Sequence, residues 1–334
     1  MTEGTVQGRG RAGSALRDRL SDLISQLAAA GALIVVFVFL SIASPDFLTA
    51  DNLFNIGSQT AVVAVIAIGM TLVIITAGID LSVGSVAALA GVVGAVMMAQ
   101  MGLSMPLAVL GGTLVGAACG LVNGFLVSVA GLNPFIATLG MLSVARGVVY
   151  IATDAQSVFG LPDSFRLLGQ GVIAGGIPIP VIVIVVVAVA GYVVLSRTRL
   201  GRYAYAMGSN LEAARLSGIP IKRYLTSVYV ISGALAGFGG MIAASRVASG
   251  QPNYGIGLEL DVIAAAVIGG ASLFGGQGTV VGTLIGAFLI ALIRNGAVLL
   301  NVNTFYQQVI IGVIIWAAVF WDQYRRRRLA AASE

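Results

Sequence analysis

The sequence predicts an all-α polytopic membrane protein of about ten transmembrane helices, and three observations lead there. The chain has 334 residues, 58% of them hydrophobic and 9% charged, with a mean hydropathy of +1.01; an average soluble domain carries about 25% charged residues. Apolar windows of about 20 residues, such as Leu23 to Ile42 and Pro178 to Leu195, match the thickness of a hydrocarbon layer crossed by an α-helix. The weak alternation expected of a transmembrane β-barrel is absent from these windows. Finally, 14 of the 18 basic residues fall in three patches, each abutting an apolar run: Arg9, Arg11, Arg17 and Arg19; Arg197, Arg199, Arg202, Arg215, Lys222 and Arg223; and Arg325 to Arg328. That placement is what the positive-inside bias produces, so the net charge of +5 reads as topology rather than as a nucleic-acid surface.

In chain order, residues 1–22 are too long and polar for the start of a cleaved signal and read as a cytoplasmic tail before a signal-anchor helix. Apolar spans follow at about 23–42, 56–77, 82–100, 107–129, 134–152, 178–196, 224–247, 259–275, 279–300 and 305–322, and residues 323–334 form a basic cytoplasmic tail. Six spans precede the middle basic patch and four follow it. All three patches then lie on one side, with both termini cytoplasmic, and 23–322 is a single membrane domain. The segments "SPDFLTADN" and "TDAQSVFGLPDSFRLLGQGVIAGG" face outward, while 206–221 faces the cytoplasm. "ITAGIDLSVGS" and "GQPNYGIGLELD" leave little room for ordinary loops, so each is either a tight turn or a break in a discontinuous helix.

These two places resemble each other. "GIDLSVGSVAA" (Gly78 to Ala88) aligns with "GIGLELDVIAA" (Gly255 to Ala265), and "GTLVGA" (Gly112 to Ala117) with "GTLIGA" (Gly282 to Ala287); each of the latter pair is followed by Asn-Gly, at Asn123 and Asn295. Two matches in the same order point to an internal repeat, and five helices per half make the halves opposite in orientation, an architecture recurrent in transporters. Gly/Ala-rich helices also resemble one another through composition alone. Among the 45 glycines, Gly112/Gly116, Gly116/Gly120, Gly233/Gly237 and Gly282/Gly286 have the spacing that lets helix backbones approach closely in lipid.

The longest polar stretch within the apolar body, "AMGSNLEAARLSGIPIKRY", is a helix with its own punctuation. Ser209 and Glu212 have capping-box spacing, Gly218 suits the left-handed position after a helix end, and Pro220 blocks continuation. Two turns of helix are unstable alone in water, so the segment packs on its own bundle or enters a groove on a partner. Glu212 and Arg215 share a face. This stretch, with Gly208, Ser209, Asn210, Glu212, Ala213, Ala214, Arg215 and Gly218, resembles the Glu-Ala-Ala…Gly coupling segment through which permeases of bacterial ATP-binding-cassette importers engage their ATPase subunits. "GMTLVIITAGIDLSVGSVAAL", "NGFLVSVAGLNPFIATLGMLSVARGVVYI" and "DVIAAAVIGGASLFGGQGTVVGTLIGAFLI" resemble blocks of the ribose-type sugar permeases, within the branched-chain/ribose transport permease family. The resemblance covers about residues 30 to 322. It implies an inner-membrane importer subunit working with ATPase subunits, an extracytoplasmic solute-binding protein and a second permease copy or paralogue, with a monosaccharide or similar small polar solute as cargo. No catalytic residue and no cofactor come with it, ATP and Mg being used by the partner ATPase.

The residues agree with that division of labour. Lys222 is the only lysine and lies outside any G-x-x-x-x-G-K-[ST] pattern, so a Walker A loop is excluded here. There is no histidine, and Cys119 is the only cysteine, which excludes a Cys/His metal site and an intrachain disulfide. Pathway candidates are the ionisable and amide groups within apolar runs, where charge is costly: Asp80, Asn123, Asn133, Arg146, Glu259, Asp261, Arg294 and Asn295. Four have a plainer reading: Asp80 caps the helix that follows, Asn133 starts the next before Pro134, and Arg146 and Arg294 snorkel outward; otherwise the two arginines pair with Glu259 or Asp261 or meet sugar hydroxyls. Outer segments carry Asp46, Asp51, Asp154, Asp163, Glu259 and Asp261 against Arg166 and Arg246, a rim suited to docking a charged binding protein. The competing function is an ATP-independent secondary carrier or channel, for which inverted repeats serve equally well.

Overall fold

The computed structural model describes residues 26–173 and 176–331. Within them the architecture is all helical. The first half holds α1 (Gln26–Ala43), α2 (Ala50–Ile75), α3 (Val83–Ala99), α4 (Met105–Ser128), α5 (Pro134–Thr153) and the short α6 (Asp163–Gln170). Next come α7 (Ile179–Arg197), α8 (Arg199–Ser209) and α9 (Leu211–Leu216), then α10 (Ile221–Val247), α11 (Leu258–Ile268), α12 (Val280–Leu299) and α13 (Thr304–Ala331). The tail at 1–22 lies outside the described residues. α13 continues unbroken to Ala331, through most of the stretch expected to be a separate tail.

Seven helices, α1, α2, α4, α5, α7, α10 and α12, are long and apolar enough to cross a membrane. Three predicted spans correspond to shorter pieces: α3 has 17 residues, α11 has 11, and the apolar part of α13 is Phe305–Ala317. α3 and α11 are short because both begin inside the bundle. Gly84, at the start of α3, lies so close to Gly255, just before α11, that a Cβ on either residue would overlap the other's carbonyl oxygen.

α2 is the central post. From Ile56 to Ile75 only Gln59 escapes full burial, as befits a helix that is apolar all round. Thr49 caps it, its hydroxyl accepting from the Asn52 N–H. α10 packs on α2, α3 and α4, while α12 packs on α2 and α11. The α4–α10 seam is built from small residues. Gly116 meets the backbone of Gly233 and Gly237, Gly120 meets the Tyr229 carbonyl, and Gly124 meets Thr226, leaving no room for a Cβ. Gly282 and Gly286 fit the same way against Gly269 and Ala265 on the α11–α12 side.

Hydropathy reading missed two helices. α6, inside the long outer segment, is held on α10 by the Ser245 hydroxyl, which donates to the Phe165 carbonyl (2.5 Å) and accepts from the Gly169 N–H (2.8 Å). α8 follows α7 after one residue, Thr198, whose extended backbone breaks the rod and whose hydroxyl accepts from the Gly201 N–H.

Candidate functional site

The polar segment folds as a separate helix, α9, between α8 and α10. Its cap differs from the expectation. Asn210, with extended backbone (φ −160°), takes the N-cap position, and its Oδ1 accepts from the Ala213 N–H at 2.9 Å. Ser209 instead ends α8, donating its hydroxyl to the Tyr205 carbonyl at 2.8 Å. A strong cap at Asn210 displaces the serine by one position, because the α8 turn already occupies the Ser209 side chain. Glu212 reaches forward to Arg215 (3.3 Å), not back to the cap. Gly218 has the expected left-handed conformation (φ +78°); its N–H donates to Arg215, and that of Ile219 to Ala214.

α9 buries only Ala214, while Leu211, Glu212, Ala213, Arg215 and Leu216 are exposed, Leu216 at 87%. Its support comes from α8, whose last turn is wedged against the foot of the central helix. A Cβ on Gly208 would overlap the Ile75 carbonyl at the end of α2. The same carbonyl accepts from the Gly276 N–H (2.8 Å), and the Tyr205 hydroxyl donates to the Gly278 carbonyl (2.7 Å). The end of α2, the end of α8 and the loop between α11 and α12 thus form one knot, to which α9 is attached through Asn210. Reading the sequence missed this loop; its only signal was the glycine density of "GGASLFGGQG".

Two polar clusters lie deep in the bundle. In the first, Asp80 is fully buried, and its Oδ1 accepts from the Ser82 N–H (3.0 Å) and hydroxyl (2.6 Å). Asp80 therefore fixes the turn leading into α3, two residues ahead of the N-cap position at Ser82. Asn123 of α4 donates to the Ser82 hydroxyl (3.0 Å), Thr138 of α5 to the Ile79 carbonyl (3.2 Å), and Ser232 of α10 to Asp80 Oδ2 (3.4 Å). Ser82, Thr138 and Ser232 were missed, since single hydroxyls in apolar runs carry no sequence signal of their own. Asn133 is apart from this cluster: exposed, it caps α5, accepting from the Phe135 N–H at 2.9 Å.

The second cluster surrounds the start of α11. Asp261 is buried, and Arg294 of α12 grips both its oxygens through one terminal nitrogen at 2.7 and 2.8 Å, so this arginine pairs rather than snorkels. Arg146 of α5 donates to the carbonyls of Pro252 (2.5 Å) and Tyr254 (2.8 Å), pinning the entering loop, while half-buried Glu259 lies beside Gly84. Asn295 is elsewhere, exchanging amide hydrogen bonds with Asn52 of α2 (2.6 and 3.2 Å). Asp261 is thus no rim residue; the paired charge belongs inside. Asp46, Asp51, Asp154, Asp163 and Arg166 are exposed, with Asp163 and Arg166 3.6 Å apart. No cluster of His, Cys, Asp and Glu among the described residues has the makeup of a metal site.

The family model described as "Branched-chain amino acid transport system / permease component" matches residues 52–319. The chain belongs to this family. The permease is 44% identical over 298 residues to the ribose import permease protein of Escherichia coli strain K12, covering 88% of this chain and 92% of that one. It is 42% identical over 291 residues to the D-allose transport system permease protein of the same strain, covering 87% and 89%. It is also 39% identical over 298 residues to the L-arabinose ABC transporter permease protein of Azospirillum brasilense, covering 89% and 87%. No solved structure matches significantly. The permease is a multi-pass protein of the bacterial inner membrane.

Proposed function

We propose that this permease is the membrane subunit of an ATP-binding-cassette importer for a monosaccharide or a similar small polar solute. Its relatives carry ribose, allose and arabinose in their names. The observation that carries the mechanism is α9, a capped helix with an open outer face carried on α8, whose last turn is braced on the foot of α2. Separate ATPase subunits grip α9 and hydrolyse ATP with Mg, and this chain binds no cofactor of its own. Closure of the ATPases displaces α8 and α9, and the knot at Ile75 and Gly276 passes that displacement to α2 and α12 as rigid bodies. An extracytoplasmic binding protein delivers the solute to the exposed acidic rim, and a second permease copy or paralogue completes the pathway.

On this reading the chain crosses ten times, α3, α13 and α11 with its following loop joining the seven long helices, and both termini are cytoplasmic. Residues 23–322 form the membrane domain, with the coupling segment at 206–221. The halves are inverted repeats. Exchanging α2 with α10, α3 with α11 and α4 with α12 turns the packing of α4 on α3 and α10 into that of α12 on α11 and α2. The two re-entrant starts, at Gly84 and Gly255, meet near the axis relating the halves. Asp80, Asn123, Glu259, Asp261, Arg294, Asn295 and Arg146 shape or line the route between the halves, and Asn133 marks its cytoplasmic end.

Gly218→Pro removes both the left-handed conformation and the N–H that closes α9. We expect it, and Glu212→Arg, to weaken ATPase co-purification roughly tenfold or more, about 1.4 kcal/mol, with membrane insertion unchanged. Solute uptake by purified permease in liposomes without ATPase subunits would overturn the reading. At the opposite face, reversing Asp154 and Asp163 to lysine is expected to lower uptake at limiting binding-protein concentration, with the loss shrinking as salt is raised. Unchanged uptake counts against rim docking.

A further inference from the structure

Beside the coupling segment lies a groove of about 770 Å³ between the last turns of α4 and the first turns of α10. Leu121 and Phe125 of α4 and Val129 just after it line one side, each about half exposed, and Leu200 of α8 lines the groove as well. Lys222 and Arg223, both exposed, stand at the mouth on the first turn of α10. Further along α4, Leu114, Leu110 and Leu107 continue the exposed apolar row away from the cations. The two helices touch at Gly116, Gly120 and Gly124, and the Ser128 and Thr226 hydroxyls lie 2.7 Å apart beyond, so the groove runs along the outside of this seam toward the charged end.

We propose that this groove is a binding site for an anionic phospholipid, its phosphate at Lys222 and Arg223 and its acyl chains along the α4 row. Two fixed cations at one end of an apolar trough match the two ends of such a lipid, and the face beside α9 is the leaflet richest in anionic lipids. A second copy fits less well. A two-fold axis along the membrane normal sets residues of equal depth against each other, bringing Lys222 and Arg223 toward their own counterparts. The site touches α8 and α10, the two helices that flank α9, so an occupied groove braces the coupling segment on both sides. That consequence, and the leaflet argument, rest on the coupling reading; the cations at one end of the apolar trough do not.

The test needs no ATPase. Detergent-purified permease is titrated with dioleoylphosphatidylglycerol or dioleoylphosphatidylcholine and followed by native mass spectrometry and thermal unfolding. The expected result is retained phosphatidylglycerol and a saturable rise in melting temperature that phosphatidylcholine does not give. Lys222→Gln with Arg223→Gln should weaken that response roughly tenfold or more, while Lys222→Arg with Arg223→Lys preserves it. Val129→Trp, which fills the mouth without touching charge, should also reduce it, and covers the case in which the neutralised pair fails to insert. Equal responses to both lipids, a full response in the glutamine pair, or a groove buried by a second copy in cross-linking would each overturn the proposal.

Discussion

Gly116→Val will take the protein out of its folded state. An added Cβ at Gly116 overlaps the Gly233 carbonyl oxygen and comes within 2.8 Å of the Gly237 Cα and N, so the obstacle is backbone on the facing helix and no side chain can turn aside. Relief requires α4 and α10 to separate along a seam that also contains Gly112, Gly120 and Gly124. Overpacking costs about 1–3 kcal/mol where neighbours can shift. Here the cost lies at the top of that range or beyond it, since lipid gives separated helices no hydrophobic reason to return. A large fall in melting temperature, or loss of the monodisperse species in size-exclusion chromatography, is the expected result. Gly140→Val on α5, where an added Cβ meets nothing within 4 Å, is the control and should leave both measures unchanged. Equal behaviour of the two variants would mean that the α4–α10 contact does not hold the bundle together.

What the sequence revealed and what it hid follow from the range of the signals. Helix class, the seven long spans and the packing role of Gly116 and Gly233 rest on composition and on spacing within one segment, which the bilayer makes unusually informative. Gly218 and Pro220 were legible for the same reason, because a helix stop is written in adjacent residues. The cap was misplaced by one residue, since Ser209 and Asn210 are both good caps and only the preceding turn of α8, which uses the serine hydroxyl, decides between them. α8 escaped notice because Arg197, Arg199 and Arg202 interrupt hydropathy just where the helix begins. Asp80 binds Ser82 two residues on, as its helix-start reading suggests, but Ser232 lies 152 residues away and only the fold brings it in; for Arg294 the sequence offered Glu259 and Asp261 alike, and the fold selects Asp261. The hydroxyl pair of Thr71 and Thr283, 2.6 Å apart between α2 and α12, is invisible for the same reason.

Arg294→Gln should destabilise the protein severely and Asp261→Asn less so, and the double variant should be more stable than the sum of the two predicts. Asp261 is buried on the first turn of α11, and its two contacts at 2.7 and 2.8 Å both go to Arg294 Nη2. Removing the arginine strands a carboxylate whose side chain is only 6% exposed inside a membrane bundle; removing the carboxylate costs less, because the Arg294 side chain is 33% exposed, although its buried Nε has no hydrogen-bond partner among the described residues. Leaving a buried charge unpaired costs about 3–5 kcal/mol, a range that applies to Asp261 alone in Arg294→Gln, whereas replacing both partners removes the desolvation penalty together with the attraction. The coupling energy from the double-mutant cycle should therefore be large, on the order of 2–3 kcal/mol, and of the sign that rescues the double variant. Thermal unfolding of the four proteins in one detergent measures it. The pair also joins α11 to α12, whose intervening loop is knotted to the foot of α2, so the destabilised single variants should lose ATPase-driven uptake and the double variant should regain part of it. Additive losses in the cycle would show that the two side chains act separately, and that the start of α11 is held in place by the carbonyl contacts of Arg146 on the preceding loop instead.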